Sequence, residues 1–251
     1  MKKEEWEKIA SNYHEEILSP LKHCKDNILV RDLSQIKDCK KKDIADLGCG
    51  PGEIENFLSS TFRNVTAIDF SQKMIEIAKE KNKELENVEF ISRDMSDMGD
   101  MKDRFDVALA INSIISPDVL QIQNTFLGVH NILKSGGKFF AILPAMEVFI
   151  YQSMILAHKE LSKGKNHQKT VAKIKRHIKK KEHDFLLGIV DFEGKQKAFY
   201  NFEIMWRLKK AGFRNIRIDK ICYSWESFKD AGQLSFPDEE LPWDWYVVCE
   251  K

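Results

Sequence analysis

Residues 46–52, Asp-Leu-Gly-Cys-Gly-Pro-Gly, are the part of this chain best suited to hold a ligand. The glycines Gly48, Gly50 and Gly52 stand between a short apolar run and a helical-looking segment. Glycine adopts backbone angles that other residues avoid, and it lets a ligand contact the main chain. The helix that follows offers unpaired N–H groups and the positive end of its dipole. The stretch therefore predicts a binding loop, in which Cys49 is a small residue in a tight turn.

Two ligands commonly use such a loop, a dinucleotide and S-adenosylmethionine. Dinucleotide-binding loops follow the pattern G-x-G-x-x-G, whereas the glycines here follow G-x-G-x-G. Asp46 lies two residues before the first glycine, where a carboxylate suits a ligand with an ammonium group and repels a pyrophosphate. The loop therefore points away from NAD.

The elements that must position this loop alternate between strand-like and helical segments. The predicted strands are 43–47, 65–68, 88–91, 105–111 and 138–143, and the helices between them are 53–60, 72–85 and 118–133, with Gly136 and Gly137 as the stop of the third helix. Alternation at this spacing predicts a parallel sheet with helices on both faces. After a helix over 201–211, strands 214–221 and 245–249 are joined by a loop without a good helix. Strands joined in this way can pair antiparallel, so the sheet is predicted to end in an antiparallel strand.

Polar residues follow the ends of three predicted strands. Asp69 lies nineteen residues after Gly50, where a carboxylate can accept hydrogen bonds from both hydroxyls of a ribose. Asp94 follows the third strand and can accept from an adenine amino group. Asn112 follows the fourth strand, where the switch point of such a sheet opens toward a ligand.

Several of these features together resemble the class I S-adenosylmethionine-dependent methyltransferases, which have a Rossmann-like domain. The matching pieces are the loop 46–52, Asp69, 71–74 (Ser-Gln-Lys-Met), Asp94 with Met95, 105–113, and 133–137 (Leu-Lys-Ser-Gly-Gly). The resemblance implies an α/β fold with a doubly wound, seven-stranded, mostly parallel sheet whose last strand is antiparallel.

The resemblance also implies a set of residues that bind S-adenosylmethionine. Those around its methionine part are Asp46, Gly48, Cys49, Gly50 and Gly52. The others are Asp69 with Phe70 and Met74 at the ribose, Asp94 and Met95 at the adenine, and Asn112 near the sulfonium. The alternatives are that Asp94 caps a helix and that Met74 and Met95 are core residues.

Methyl transfer is a direct displacement at an activated methyl group, so the enzyme mainly aligns and desolvates the reactants and a general base is optional. The candidate catalytic residues are Tyr13, His14 and Asn112. Tyr13 and His14 lie on a predicted amphipathic helix within residues 1–42, which we interpret as an N-terminal helical cap. Residues 112–115 read Asn-Ser-Ile-Ile, not the Asn/Asp-Pro-Pro-aromatic pattern of enzymes that methylate amino groups of bases.

The segment 144–200 is longer than a strand-to-helix connection needs, and we interpret it as a helical and hairpin insertion that forms a lid on the substrate side of the 43–143 core. Its predicted hairpin surrounds residues 191–194, and Phe192, Phe199 and Tyr200 join Tyr13 as candidate substrate-binding residues. Between His158 and His183 there are ten Lys or Arg residues and two Glu residues. This basic run is typical of a solvated helix, and it also suits contact with RNA or an anionic membrane. Residues 201–251 would complete the core sheet.

The composition describes a globular chain, with 251 residues of which 43% are hydrophobic and 31% charged. No apolar run reaches the ~20 residues of a membrane span. The N-terminus lacks the apolar core of a secretory signal, which favours a cytoplasmic protein. The five cysteines form no C-x-x-C pair and no zinc-like cluster, so we expect free thiols and no metal.

The sequence favours a methyltransferase that uses S-adenosylmethionine to methylate an N, O or S atom of a small molecule. One alternative is an RNA-directed methyltransferase that uses the basic 158–183 segment. Another is a non-catalytic, cofactor-binding regulatory protein. The sequence leaves the acceptor and the oligomeric state open.

Overall fold

The structure, a computed structural model, describes residues 20–24, 27–179, 183–191, 194–230 and 233–251, with side chains except at 176–179. Three candidate residues, Tyr13, His14 and Phe192, lie outside the described residues, as does the predicted N-terminal helix.

Seven strands form one twisted sheet and two more form a separate hairpin. The strands are Asp43–Leu47 (β1), Asn64–Asp69 (β2), Val88–Ser92 (β3), Phe105–Ile111 (β4), Leu133–Leu143 (β5), Ile189–Asp191 (β6), Lys195–Lys197 (β7), Arg214–Cys222 (β8) and Trp243–Glu250 (β9). The order in the large sheet is β3-β2-β1-β4-β5-β9-β8. Strand β9 is antiparallel to both of its neighbours, and the other pairs are parallel. The predicted α/β fold, with its antiparallel last strand, is confirmed.

Helices cover the two faces of this sheet. Those in the described residues are Pro20–His23 (α1), Ile28–Ser34 (α2), Glu55–Thr61 (α3), Gln72–Lys81 (α4), Val119–Ile132 (α5), Met146–Ser162 (α6), His167–Lys179 (α7), Asn201–Ala211 (α8) and Trp225–Asp230 (α9). Their starts and stops follow from local chemistry. The Ser71 hydroxyl accepts from the Met74 N–H at the start of α4, and Gly212 ends α8 with a φ of 100°.

The central strands are apolar at successive positions because both of their faces are buried. In β5, Phe139 belongs to the apolar cluster that includes Phe126 of α5. The next residue, Phe140, belongs to the cluster that includes Leu33 of α2 and Leu58 of α3. Successive side chains of a strand point to opposite faces, so this alternation builds a three-layer core. Among the described residues, no helix combines the length and apolarity needed to cross a bilayer.

The strand order brings several chain segments to one edge of the sheet. Parallel strands β1, β2, β4 and β5 end at this edge, and β9 begins there because it runs in the opposite direction. Strand β8 also ends there because it is antiparallel to β9. Residues that follow the ends of these strands are therefore neighbours in space.

The structure corrects three predicted boundaries. Helix α5 ends at Ile132, and Gly136 and Gly137 lie inside β5, where the register with β4 shifts. The loop predicted after β8 contains the short helix α9, whose Trp225 and Phe228 are buried. The sequence predicts the hairpin strands at 185–189 and 197–200. They span Ile189–Asp191 and Lys195–Lys197, so they are shorter and lie closer to the turn.

The segment predicted as a lid consists of α6, α7 and the β6–β7 hairpin. The Lys197 N–H of β7 donates to the Ile115 carbonyl (2.9 Å), and the Met146 N–H at the start of α6 donates to the Phe199 carbonyl (2.9 Å). The first bond anchors the segment to the loop that follows β4, and the second joins the two ends of the segment. That the segment acts as a lid remains a prediction.

Candidate functional site

The glycine loop joins β1 to the turn before α3, and its backbone is held by the neighbouring strand. Gly48, Gly50 and Gly52 have φ values of 75°, 53° and 71°, in the left-handed region. The N–H groups of Gly48 and Cys49 donate to the Ile68 carbonyl at 2.7 and 3.0 Å. These left-handed angles favour glycine at all three positions. The two hydrogen bonds fix the loop against the end of β2.

Two of these glycines are also required by close packing. A Cβ atom at Gly48 would overlap the Ser113 side chain and would lie 3.2 Å from the terminal methyl carbon of Met95. A Cβ atom at Gly52 would overlap the Asn82 amide nitrogen. The main chain of the loop is therefore bare of side chains at these positions and packs directly against Ser113 and Asn82, which fixes its shape.

A pair of buried carboxyl groups lies beneath the loop. Asp46, at 2% exposure, lies close to Glu55 of α3, which is fully buried. Burial is the main cause that raises the pKa of both carboxyl groups, and for Glu55 the charge of Asp46 raises it further. Among the described residues, no hydrogen-bond partner reaches either oxygen of Glu55. Two buried carboxyl groups in this arrangement are suited to a cationic ligand.

Glu55 was not predicted as a site residue. The signal that could have found it is its position, because it lies at helical spacing with the buried Leu58 and Phe62. A carboxyl group at a core position beside a glycine loop is costly unless it has a partner or a ligand.

Asp69 is buried at the end of β2, beside the glycine loop. It is 7% exposed, and its two oxygens accept from the Gly50 N–H (3.0 Å) and the Ser71 N–H (2.8 Å). Burial raises the pKa of this carboxyl group, and the two backbone donors act in the opposite direction. Each oxygen keeps a second lone pair, so the carboxylate can also accept from a pair of hydroxyl groups.

The predicted adenine and ribose neighbours differ in their surroundings. Met74 is buried, whereas Phe70 and Met95 are half-buried. Asp94 is exposed, and one of its oxygens accepts from the N–H and the hydroxyl of Ser96 at 2.8 and 2.7 Å. Asp94 therefore closes a local turn, which leaves its other oxygen for an adenine amino group.

Asn112 stands at the end of β4 with a φ of 48°, an unusual angle for a residue other than glycine. Its Nδ2 donates to Asp244 Oδ2 at 3.0 Å, and its Oδ1 is buried without a hydrogen-bond partner among the described residues. The next residue, Ser113, donates from Oγ to the Leu47 carbonyl at 2.6 Å. Asn112 therefore precedes the residue that contacts the glycine loop, and it carries an acceptor that the described residues leave unused.

Two further polar residues at this edge, Asp244 and Tyr223, were not predicted. Tyr223 is fully buried, and its hydroxyl donates to Asp244 Oδ2 at 2.5 Å. Burial raises the pKa of Asp244, and it also raises the pKa of Tyr223 well above its usual value. No periodic pattern marks this pair, because the two residues come from strands that meet only in the folded sheet.

The candidate substrate residues of the insertion have different positions. Phe199 is fully buried, packs edge-on against Phe126 with ring centroids 6.2 Å apart, and lies beneath the Lys197 ammonium. Its ring is therefore part of the core. Tyr200 is half-buried, donates to the Phe185 carbonyl at 2.6 Å and stacks on Phe202.

These residues fit a ligand that carries an ammonium group and a ribose. The bare loop accepts a backbone contact, the Asp46–Glu55 pair suits the ammonium group, and Asp69 suits the ribose hydroxyls. The Asn112 Oδ1 adds an acceptor at the end of β4.

Comparisons with known proteins agree with this geometry. Residues 44–137 match the family described as "Methyltransferase domain". Over 117 residues the chain is 31% identical to 235L, designated a methyltransferase, of Invertebrate iridescent virus 6, and the match covers 46% of this chain and 42% of that protein. Over 200 residues it is 28% identical to a demethylmenaquinone methyltransferase of Staphylococcus aureus, covering 76% of this chain and 74% of the relative. The chain therefore spans less than half the length of the viral relative.

The fold is also similar to solved structures. A crystal structure of an S-adenosylmethionine-dependent methyltransferase from Methanosarcina mazei matches with a TM-score of 0.60 and 18% sequence identity. The match covers 90% of this chain and 98% of that one. At this identity, the likeness concerns the fold.

Proposed function

We propose that this chain is a class I S-adenosylmethionine-dependent methyltransferase and that it methylates an N, O or S atom of a small molecule. The observation that carries the proposal is the bare glycine loop with buried carboxyl groups beneath and beside it. We also propose that the protein works in the cytoplasm.

The residues of the site would bind the cofactor in three places. Asp46 and Glu55 would lie near the ammonium group of its methionine part, and Asp69 would accept from the ribose hydroxyls. Asp94, Met95 and the neighbouring Phe70 would hold the adenine ring.

The bound cofactor supplies a methyl group on a positively charged sulfur. During transfer the bond from sulfur to methyl breaks while a bond to the acceptor forms, and a neutral thioether leaves. The protein's part is to align the acceptor and exclude water. Asn112 is the described candidate for contact with the reacting groups, because no donor among the described residues reaches its Oδ1.

The small-molecule proposal is supported by the segment beside the site and by one relative. Residues of α6 and of the β6–β7 hairpin are hydrogen bonded near the ends of β4 and β5, where an acceptor would enter. The Staphylococcus aureus relative is named for demethylmenaquinone, which is a small molecule. We propose that this segment determines which acceptor is bound.

The RNA alternative depends on the basic segment, and its charges are partly neutralised within the protein. The Glu160 carboxylate accepts from Lys165 (2.5 Å) and Lys173 (2.9 Å), and these lysines lower the pKa of Glu160 to about 2. Two of the basic residues are therefore paired with this carboxylate, which leaves a weaker positive surface for phosphate groups.

The class of acceptor is tested directly with methyl-labelled S-adenosylmethionine. The protein is incubated with the labelled cofactor and either the low-molecular-mass fraction of a cell extract or total RNA. We expect label in small molecules. Label in RNA would support the alternative, and no transfer to either would support the regulatory function.

Substituting Asp69 should weaken binding of the cofactor product. In Asp69→Ala we expect the affinity for S-adenosylhomocysteine to fall ~10–100-fold, because two hydrogen bonds to charged oxygen are removed. Isothermal titration calorimetry measures this change. Asp97→Ala, at an exposed position near the same edge of the sheet, is the control and should bind within about twofold of wild type. Unchanged affinity in Asp69→Ala would remove Asp69 from the site.

Reversing charge on α7 should separate the two acceptor classes. Lys169 and Lys175 are exposed on this helix. In Lys169→Glu/Lys175→Glu we expect the S-adenosylhomocysteine affinity to be unchanged and RNA binding by both proteins to be weak. If RNA were the acceptor, wild-type binding would fall steeply with salt, and the variant's slope of log K against log salt would be shallower by ~0.7 for each phosphate that it no longer neutralises. Fluorescence anisotropy with labelled RNA at several salt concentrations makes the comparison.

A further inference from the structure

Four strands contribute to one hydrogen-bonded group at the edge of the sheet where the site lies. Asp244 of β9 accepts from Asn112 Nδ2 (3.0 Å), from the Tyr223 hydroxyl (2.5 Å) and from the Ala145 N–H (3.3 Å). Asn112 follows β4, Tyr223 follows β8 and Ala145 follows β5. A single carboxyl group therefore ties together the ends of three strands.

This arrangement fixes the orientation of the Asn112 side chain. A carboxylate accepts hydrogen bonds, so the Asn112 amide must present its NH₂ group to Asp244. Its Oδ1 then points away from Asp244, and that atom is buried without a donor from the described residues. The backbone of Asn112 is also constrained, because its N–H donates to the Ile142 carbonyl at 2.8 Å.

The residue after Asn112 contacts the glycine loop. Ser113 is bonded to the Leu47 carbonyl and fills the space that a side chain at position 48 would need. The unused acceptor is therefore carried by the residue next to the one that packs on the loop.

The surroundings of Asp244 favour this role as a hydrogen-bond acceptor. Among the described residues, the titratable groups beside the Asp244 carboxyl group are Tyr223 and Cys24. Burial raises the pKa of Tyr223 well above its usual value and the pKa of Cys24 to about 12. Both stay neutral near pH 7, so the Tyr223 hydroxyl remains a donor. Neither group places a positive charge beside Asp244, which binds its neighbours through neutral donors.

We propose that Asp244 and Tyr223 are positioning residues that hold the Asn112 carboxamide so that its Oδ1 faces the methyl group of bound S-adenosylmethionine. The inference rests on the proposed function. Asn112 is the group that contacts the reacting atoms, and Asp244 acts through it. Where the molecule to be methylated carries an N–H or O–H group, that group would donate a hydrogen bond to the same oxygen.

The test uses two cofactor analogues and needs no methyl acceptor. S-adenosylhomocysteine lacks the methyl group, whereas sinefungin carries a charged amino group at the corresponding place. An oxygen facing that place accepts a hydrogen bond from the amino group and leaves S-adenosylhomocysteine unaffected. The ratio of the two dissociation constants, measured by calorimetry on the full chain, therefore reports the orientation of the Asn112 amide.

The variants are Asn112→Gly, Asp244→Asn and Tyr223→Phe. Glycine keeps the positive φ of position 112 and removes the amide. In Asn112→Gly and Asp244→Asn we expect the preference for sinefungin to fall ~10-fold, since a hydrogen bond to a charged group is removed. We expect S-adenosylhomocysteine affinity to stay within about threefold. Asp219→Asn makes the same chemical change on β8, at a side chain that is 43% exposed, and should keep the wild-type ratio.

Three results would overturn the proposal. A wild-type ratio that Asn112→Gly does not change would show that Oδ1 faces elsewhere. A normal ratio in Asp244→Asn would show that Asp244 does not position the amide. If Asp244→Asn fails to fold, Tyr223→Phe tests the same role. We expect its ratio of dissociation constants to fall about two- to threefold, because one donor to Asp244 is removed. An unchanged ratio would overturn the positioning role of Asp244 and Tyr223. Failure of wild type to bind either analogue would instead overturn the proposed function.

Discussion

Replacing Glu55 with glutamine should make the protein more stable at pH 8 and leave its stability at pH 4 nearly unchanged. In the folded chain Glu55 is fully buried beside Asp46, and burial raises the pKa of both groups, that of Asp46 to about 7. A carboxyl group with a raised pKa binds its proton more tightly in the folded state. The free energy of unfolding therefore decreases as the pH rises from the unfolded pKa values, about 4, toward the folded ones.

The amide of glutamine removes one of the two ionisable groups and can donate to Asp46. We expect Glu55→Gln to gain ~1–3 kcal/mol at pH 8, which corresponds to a rise in melting temperature of ~2–4 °C per kcal/mol for a chain of this size. At pH 4, where Glu55 is largely protonated in both states, little change is expected.

Differential scanning calorimetry at pH 4, 6 and 8 measures this effect. Glu80→Gln is the matched control, because Glu80 lies on α4 with a side chain that is 77% exposed, and its change should stay within ~0.5 kcal/mol at every pH. If Glu55→Gln destabilises the protein equally at all three pH values, the raised pKa of Glu55 is contradicted.

Placing a methyl group at Gly48 should abolish cofactor binding and destabilise the protein. The new Cβ would overlap the Ser113 side chain, and the residue would have to keep a φ of 75°. A left-handed angle costs a residue other than glycine ~1–2 kcal/mol, and overpacking adds ~1–3 kcal/mol. We expect the affinity for S-adenosylhomocysteine to fall at least ~100-fold, because the loop must move from its place against β2.

Two further variants separate the causes. Gly136 has a φ of 73° with no atom near the position of its missing Cβ, so Gly136→Ala carries the cost of the angle without the overlap and should bind normally. Gly48→Ala/Ser113→Gly removes the overlap and should recover part of the stability and affinity. If Gly48→Ala binds as well as Gly136→Ala, the loop does not depend on the bare main chain.

The predictable part of the fold is the part set by local pattern. The bounds of β1, β4 and α8 follow directly from apolar runs and flanking polar residues. The end of α5 does not, because Gly136 and Gly137 are compatible both with a helix stop and with the irregular start of β5. Strand pairing with β4 decides between these, and pairing is not visible in a local pattern.

The predictable part of the site is likewise local. Asp46 and Asp69 can be predicted as candidate site residues because each lies at a set number of residues from the glycines. Asp244 is not, because 132 residues separate it from Asn112 and the two meet only when β9 inserts between β5 and β8. Phe199 shows the same limit, since its burial comes from helices α5 and α8 packing around it.

Binding of S-adenosylmethionine at the glycine loop is tested by calorimetric titration of the wild-type chain with S-adenosylmethionine, S-adenosylhomocysteine and NAD. We expect both sulfur ligands to bind in the micromolar range and NAD not to bind, because the glycine spacing and the carboxyl groups at 46 and 55 favour an ammonium group over a pyrophosphate. Binding of NAD, or of none of the three ligands, would contradict the assignment of this loop to the cofactor.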